Sequence, residues 1–199
     1  MPNPLAMGIA TELLWALIGL LLTIAGTFLE AFIAFPGRDW LNHGIQPYSL
    51  GITYQFGAGL LVGCVGGRNA ATLSQIAYIF LGLTPWFPIF AKGGGLSYLG
   101  EPSFGYLLGF VPAAWVCGYL AFKAAPRLES LALSCISGLL SIHLTGIGYL
   151  CLTALLGSTP QAKLLEALVN YSVRPLPGQF AVVCAVTVIA FALRHIMFY

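Results

Sequence analysis

The first apolar run, about Glu12 to Phe35, is long enough to cross a bilayer as one helix. It stops at Pro36-Gly37-Arg38-Asp39, where proline and glycine break a helix and two charges meet water. Further uncharged runs occur along the chain, separated by short polar or glycine- and proline-rich connections. Of the 199 residues 59% are hydrophobic and 7% charged, with a mean hydropathy of +0.91. A soluble domain carries about 25% charged residues because water must solvate its surface. The bilayer is therefore the solvent of this chain. At roughly 20 apolar residues per span plus connections, the length accommodates six helices and no sizeable extramembrane domain.

These considerations predict an all-α integral membrane protein: one membrane domain over 1–199, with six transmembrane helices at about 12–35, 50–67, 70–90, 104–122, 131–156 and 180–197. Residues 1–11 lack the basic stretch of a signal peptide, so the first run reads as a retained helix. The second segment is rich in glycine (Gly51, Gly57, Gly59, Gly63, Gly66, Gly67), which predicts close packing against neighbouring helices. Pro85 and Pro88 predict a kinked or unwound end to the third. Lys92-Gly93-Gly94-Gly95 and Gly100-Glu101-Pro102 make residues 91–103 too rich in glycine and proline for a helix, and predict a loop folded over a site. Residues 157–179 form a second long loop, with a short surface helix at 164–169. No internal repeat suggests an inverted-repeat transporter. The positive-inside count places four basic residues on each side and leaves orientation open.

The same residues exclude several chemistries. A net charge of +2 spread along the chain makes no basic patch for nucleic acid. Cys64, Cys117, Cys135, Cys151 and Cys184 stand singly within apolar runs, without metal or redox spacing, and are read as small core residues. No Ser-His-Asp set, carboxylate pair or metal cluster supports an enzyme, and no cofactor is implied. Gly93 to Gly95 lack the Lys-Ser/Thr that completes a phosphate loop. Glu30 inside the first run and His143 inside the fifth are the ionisable groups at membrane depth. Such groups mark function, or else Glu30 reaches the boundary near Arg38 and His143 is neutral and bonded to a neighbouring helix. Tyr106, with Tyr98 and Phe104, is placed to stack on a flat ring, though aromatic belts share that composition.

Three stretches between the third and fourth helices carry a resemblance. Residues 77–83 (Ala-Tyr-Ile-Phe-Leu-Gly-Leu), 88–95 (Pro-Ile-Phe-Ala-Lys-Gly-Gly-Gly) and 102–110 (Pro-Ser-Phe-Gly-Tyr-Leu-Leu-Gly-Phe) closely resemble the BioY family. So do Pro47-Tyr48-Ser49-Leu50 with Gly59 to Gly63, and Leu176-Pro177-Gly178. The members of that family are biotin-specific S components of energy-coupling factor transporters. The resemblance implies a six-helix bundle in a prokaryotic cell membrane, with biotin or a similar small molecule held at one face beneath the loops. It also implies a transmembrane coupling subunit and two ATPase subunits as partners, contacted through small residues of the first helix, here Ala6 to Ala10 and Ala16 to Gly19, succeeded by Leu20.

Two departures bear on the ligand. Where the family's last turn reads Pro-Gly-Asp with a lysine three residues on, this chain has Gly178-Gln179 and then Val182. The glutamine usual after the second-helix signature is replaced by Gly51, with Gln55 one turn later. The expected substrate-binding set is therefore Gln55, Lys92, Gly94, Tyr106, His143, Arg174 and Gln179, with Lys92 or Arg174 supplying the cation for a carboxylate. The competing reading is a BioY-like chain that no longer transports and serves as a structural or assembly subunit of a membrane complex.

Overall fold

The computed structural model describes residues 8–35, 46–156 and 161–198. Helix α1 (Ile9–Phe28) shows the logic of the whole molecule. Ala16, Gly19, Thr23, Gly26 and Thr27 lie on its buried face, while Leu13, Leu14, Leu17 and Leu21 face outward. This inverts a soluble helix. Lipid is as apolar as leucine, so helices gain more by placing small residues inside and approaching closely.

The apolar run does not continue as helix to Phe35. Leu29 is extended, and Glu30–Phe35 forms strand β1, paired antiparallel with β2 (Gln46–Thr53) through Phe32 with Ser49, Ile33 with Tyr48 and Ala34 with Pro47. The fold is thus mostly helical with one two-stranded sheet, not all-α. A continuous apolar run carries no period to separate strand from helix, and the pairing partner lies outside the run. Glu30 is consequently exposed on the hairpin, accepting a hydrogen bond from the Ser49 hydroxyl, rather than sitting inside a span. The Pro36 to Asp39 stop lies outside the described residues.

Helix α2 (Gln55–Leu83) is continuous except at Gly67, whose φ of 82° and ψ of 172° are not helical. Glycine adopts that φ without the steric cost a Cβ would bring. The chain reverses there: Gly59 packs on Gln75, and Gln55 donates to Tyr78, both pairs centred near residue 67. Residues 55–66 and 68–83 are therefore two antiparallel arms. The second arm ends at Thr84, before Pro85, well short of residue 90. Helices α3 (Phe104–Leu108) and α4 (Phe110–Lys123) meet at Gly109, and α5 (Leu128–Leu155) comes next. After α6 (Gln161–Leu168) comes a π-helical turn, Val169–Val173. The last helix, α7 (Leu176–Phe198), begins before residue 180, with Pro177 tolerated in its first turn, where an amide has no helical partner anyway.

Among the described residues four stretches are long and apolar enough to cross a membrane: Ile9–Phe28, Phe104–Lys123, Leu128–Leu155 and Leu164–Met197. The core lies where both arms of α2 meet α4, α5 and α7, around Leu60, Val65, Tyr78, Cys117, Leu139 and Val183. Leu133, Leu140 and Leu144 of α5 and Phe80 of α2 face outward. The bundle has two unlike ends. At the loop end the β-hairpin, residues 84–103 and residues 164–175 come together: the Tyr149 hydroxyl donates to the Leu99 carbonyl, and Gly178 lies against the Leu50 carbonyl. At the turn end Asn69 donates to Glu12 and Arg194 donates to the Ala121 carbonyl.

Approach by neighbouring backbone is tightest at Gly118, where an added Cβ would lie 2.6 Å from the backbone of Arg68. Backbone cannot swing aside as a side chain can. Gly118→Ala is expected to destabilise the protein by about 1–3 kcal/mol, whereas Gly148→Ala, with no described atom within 4 Å, leaves stability unchanged or slightly raised. Thermal unfolding of the purified variants in detergent checks the contrast.

Candidate functional site

The loop between α2 and α3 is held by a chain of rings. Phe90 lies 5.4 Å from Tyr78 and 4.7 Å from Tyr98, and Tyr98 in turn contacts Phe104, which contacts Tyr149. Edge-on and tilted pairs of this kind each add about 0.5–1.5 kcal/mol beyond area burial. Phe90 seats where Gly82 has no side chain, since a Cβ there would collide with its ring. Gly94 fits by the same device, its would-be Cβ 2.7 Å from the Gly82 carbonyl, while Gly95 donates its amide to that carbonyl at 2.8 Å. Gly93 and Gly95 take φ of 113° and 86°. Gly94 thus serves the folding of the loop onto α2, and its backbone faces protein.

Beneath this loop three elements converge. Tyr106 of α3 hydrogen-bonds through its hydroxyl to Ser172 of the π-helical turn at 2.6 Å, and its ring packs near His143 of α5 and Tyr171, at centroid distances of 6.0 and 5.8 Å. His143 Nε2 lies 2.8 Å from Oε1 of Gln179 in the first turn of α7. A carbonyl oxygen accepts, so Nε2 carries the proton, and in that tautomer Nδ1 is an acceptor. That nitrogen is buried and has no hydrogen-bond partner among the described residues. A buried acceptor left unpaired costs about 1–3 kcal/mol, so such groups are uncommon without a purpose. The Gln179 side chain lies on the other, Nε2 side of the ring. Tyr106, His143 and Gln179, far apart in sequence, are thus one cluster.

The other expected residues are placed differently. Gln55 is buried but belongs to a separate network, donating to Tyr78 at 2.8 Å, while the Tyr78 hydroxyl also meets Thr27 and the Ile89 carbonyl. Lys92 is exposed on the loop, 3.7 Å from Glu101 and 3.3 Å from the Tyr171 hydroxyl. Arg174 is exposed immediately after the π-helical turn. Val182, standing where the family has lysine, is 2% exposed and packs on Gly57. Of the small residues on α1, Ala6 lies outside the described residues and Ala10 is exposed. Ala16 and Gly19 are buried within the chain, Gly19 against Ser74 and Val62. Sequence reading missed Tyr171 and Ser172. Their signal was slight: a tyrosine-serine pair just before Arg174 in a segment otherwise read as loop.

Lys92, Glu101 and Tyr171 form a latch between the two long loops. The hydrogen bond to Tyr171 holds the Lys92 ammonium above its ordinary pKa of 10.5. A raised pKa means the stabilisation is present below that value and is lost as pH rises through the higher one. Lys92→Met is expected to speed cleavage of residues 92–101 by an alkaline-tolerant protease at neutral pH. In the unsubstituted chain cleavage stays constant across the neutral range and quickens only above the ordinary lysine pKa.

Known proteins resemble this chain in sequence and fold. The family model of the BioY family matches residues 6–198. A probable biotin transporter BioY of Lysinibacillus sphaericus is 36% identical over 136 residues, covering 68% of this chain and 64% of that one. An uncharacterised 21.2 kDa protein of Cyanophora paradoxa is 29% identical over 93% of this chain and 95% of its own length. Among solved structures, the crystal structure of the S component for biotin from an ECF-type ABC transporter superposes with a TM-score of 0.66 at 20% identity, over 96% of this chain and 95% of that one. At that identity the likeness establishes a shared fold. With apolar spans arranged in that fold and a family match running nearly end to end, this multi-pass membrane protein belongs to the BioY family.

Proposed function

We propose that this chain is the substrate-capture component of an energy-coupling factor importer and that it binds biotin at the loop end of the bundle. Its six membrane crossings are α1, the two arms of α2, residues 104–123, α5 and α7. The observation that carries the ligand assignment is the buried Nδ1 of His143, which has no hydrogen-bond partner among the described residues while the Gln179 side chain holds the ring at its other nitrogen. A ureido ring carries N–H groups, the donors that such an acceptor lacks. The Tyr106 ring, 6.0 Å from the His143 ring, supplies a flat apolar wall.

The carboxylate of such a ligand faces the loops. Val182 closes the position at which the family carries a lysine, so the cation comes from outside, from Lys92 or Arg174. Lys92 is the better placed, because its latch to Tyr171 puts it over the ring that flanks Tyr106. Gln55 acts at one remove, by holding Tyr78 and through it the loop carbonyl of Ile89. The motor lies in partners, a transmembrane coupling subunit and ATPases, since the chain carries no phosphate-binding loop. Among the small residues expected to meet them, the exposed Ala10 remains open to a partner. Relatives named as biotin transporters support capture for transport over a purely structural role.

Biotin titrated calorimetrically into the purified protein is expected to bind with one site per chain. His143→Ala and Gln179→Ala each weaken that affinity by about 10-fold or more, the value of one or two buried polar contacts. Lys92→Met weakens biotin but not biotin amide, which lacks the negative charge. Absence of both heat and thermal stabilisation at large biotin excess overturns the assignment.

A further inference from the structure

Three of the cysteines that look solitary in the sequence meet in space. Cys64 comes from the first arm of α2, Cys117 from α4 and Cys135 from α5, and each is 0% exposed. The Cys64 sulfur lies 3.6 Å from that of Cys117 and 3.5 Å from that of Cys135, and all three sulfurs lie within 4.8 Å of one another. Three metal–thiolate bonds of about 2.3 Å in a plane place their sulfurs about 4.0 Å apart. The observed cluster needs only small rotations to reach that spacing.

The surroundings decide which ion suits it. Cys117 also points its thiol at the Leu60 carbonyl. Among the described residues no carboxylate or imidazole joins the group. A purely sulfur donor set selects soft cations, Cu(I) above the hard ones, whereas a structural Zn(II) site ordinarily demands a fourth strong ligand.

We propose that Cys64, Cys117 and Cys135 form a binding site for a single soft monovalent cation, Cu(I), that ties α2, α4 and α5 together at the turn end of the bundle. The cation arrives already reduced, two thiols each release a proton to solvent as they bind it, and no electron is transferred. Entry is from the turn end, since Cys64 lies three residues before the Gly67 reversal and Cys135 seven residues after the start of α5. The site is separate from the loop-end cluster and does not depend on the biotin assignment.

The test is anaerobic titration of the purified full chain with Cu(I) against a competing Cu(I) chelator, with X-ray absorption at the copper edge. One equivalent per chain, coordinated by about three sulfurs near 2.3 Å, is expected. Cys64→Ala, Cys117→Ala and Cys135→Ala should each weaken binding by about 100-fold or more, and the double variant Cys151→Ala, Cys184→Ala, at the two exposed cysteines, should leave it unchanged. Thermal unfolding without metal shows that each variant is folded, and Cu(I) should raise the melting temperature of the unsubstituted protein but not of the three buried variants. Copper that is not retained against the chelator, or that is lost in the Cys151/Cys184 variant instead, overturns the proposal. So does preferential retention of Zn(II) in the same competition.

Discussion

Backbone-level contact at residues without side chains is the interaction on which this bundle depends. Between helices in lipid there is little hydrophobic gain to be had, so association rests on dispersion, and dispersion rewards only surfaces that touch. Gly19 admits Ser74, Gly66 admits Trp15, and Gly118 admits the backbone of Arg68. Each joins a different pair of elements, and together they bring α1, both arms of α2 and α4 into one packed unit. The leucines that would line a soluble core are displaced to the outside, where the bilayer covers them.

The same device builds the site. Gly146 leaves room for the Tyr106 ring and Gly105 for Tyr149, each approached more closely than a Cβ would allow. Tyr106 can then reach Ser172 in the π-helical turn, and Tyr149 can reach the Leu99 carbonyl in the opposite loop. A π-helical turn inserts one extra residue per turn and so redirects the chain beyond it, a feature often found where function needs irregular backbone. Here it presents Tyr171 and Ser172 to the cluster just before α7 places Gln179 beside His143. Rigid spans thus position two long loops that have little regular structure of their own.

Polar chemistry is divided between the ends. At the loop end the buried groups are a tyrosine, a serine and an imidazole with hydrogen-bonding capacity, suited to a polar ring, with cations held outside on exposed segments. Toward the turn end they include three thiols, Arg194 and the hydroxyls of Ser134 and Thr187. Between them Thr23, Ser74 and Gln75 form a small internal network of hydrogen bonds.

Much of this was legible in the chain itself. Apolar runs and scarce charge determined a membrane protein, glycine content determined close packing, and Pro85 and Pro88 with Gly93 to Gly95 pointed to an unwound helix end and a loop over residues 91–103, because these are local properties of solvation and backbone freedom. Motif resemblance identified the family and nominated Tyr106 and Gln179, and an ionisable group inside an apolar run nominated His143. What sequence could not supply was anything set by a distant partner. Residues 30–35 are strand only because residues 46–53 lie alongside them. Gly94 and Gly19 are committed to packing because Gly82 and Ser74 stand where they do. The partnerless nitrogen of His143 and the meeting of Cys64, Cys117 and Cys135 likewise exist only in three dimensions. A one-dimensional pattern records which groups a chain has, but hydrogen-bond satisfaction and sulfur-to-sulfur distance depend on which helices touch, and only the assembled bundle decides that.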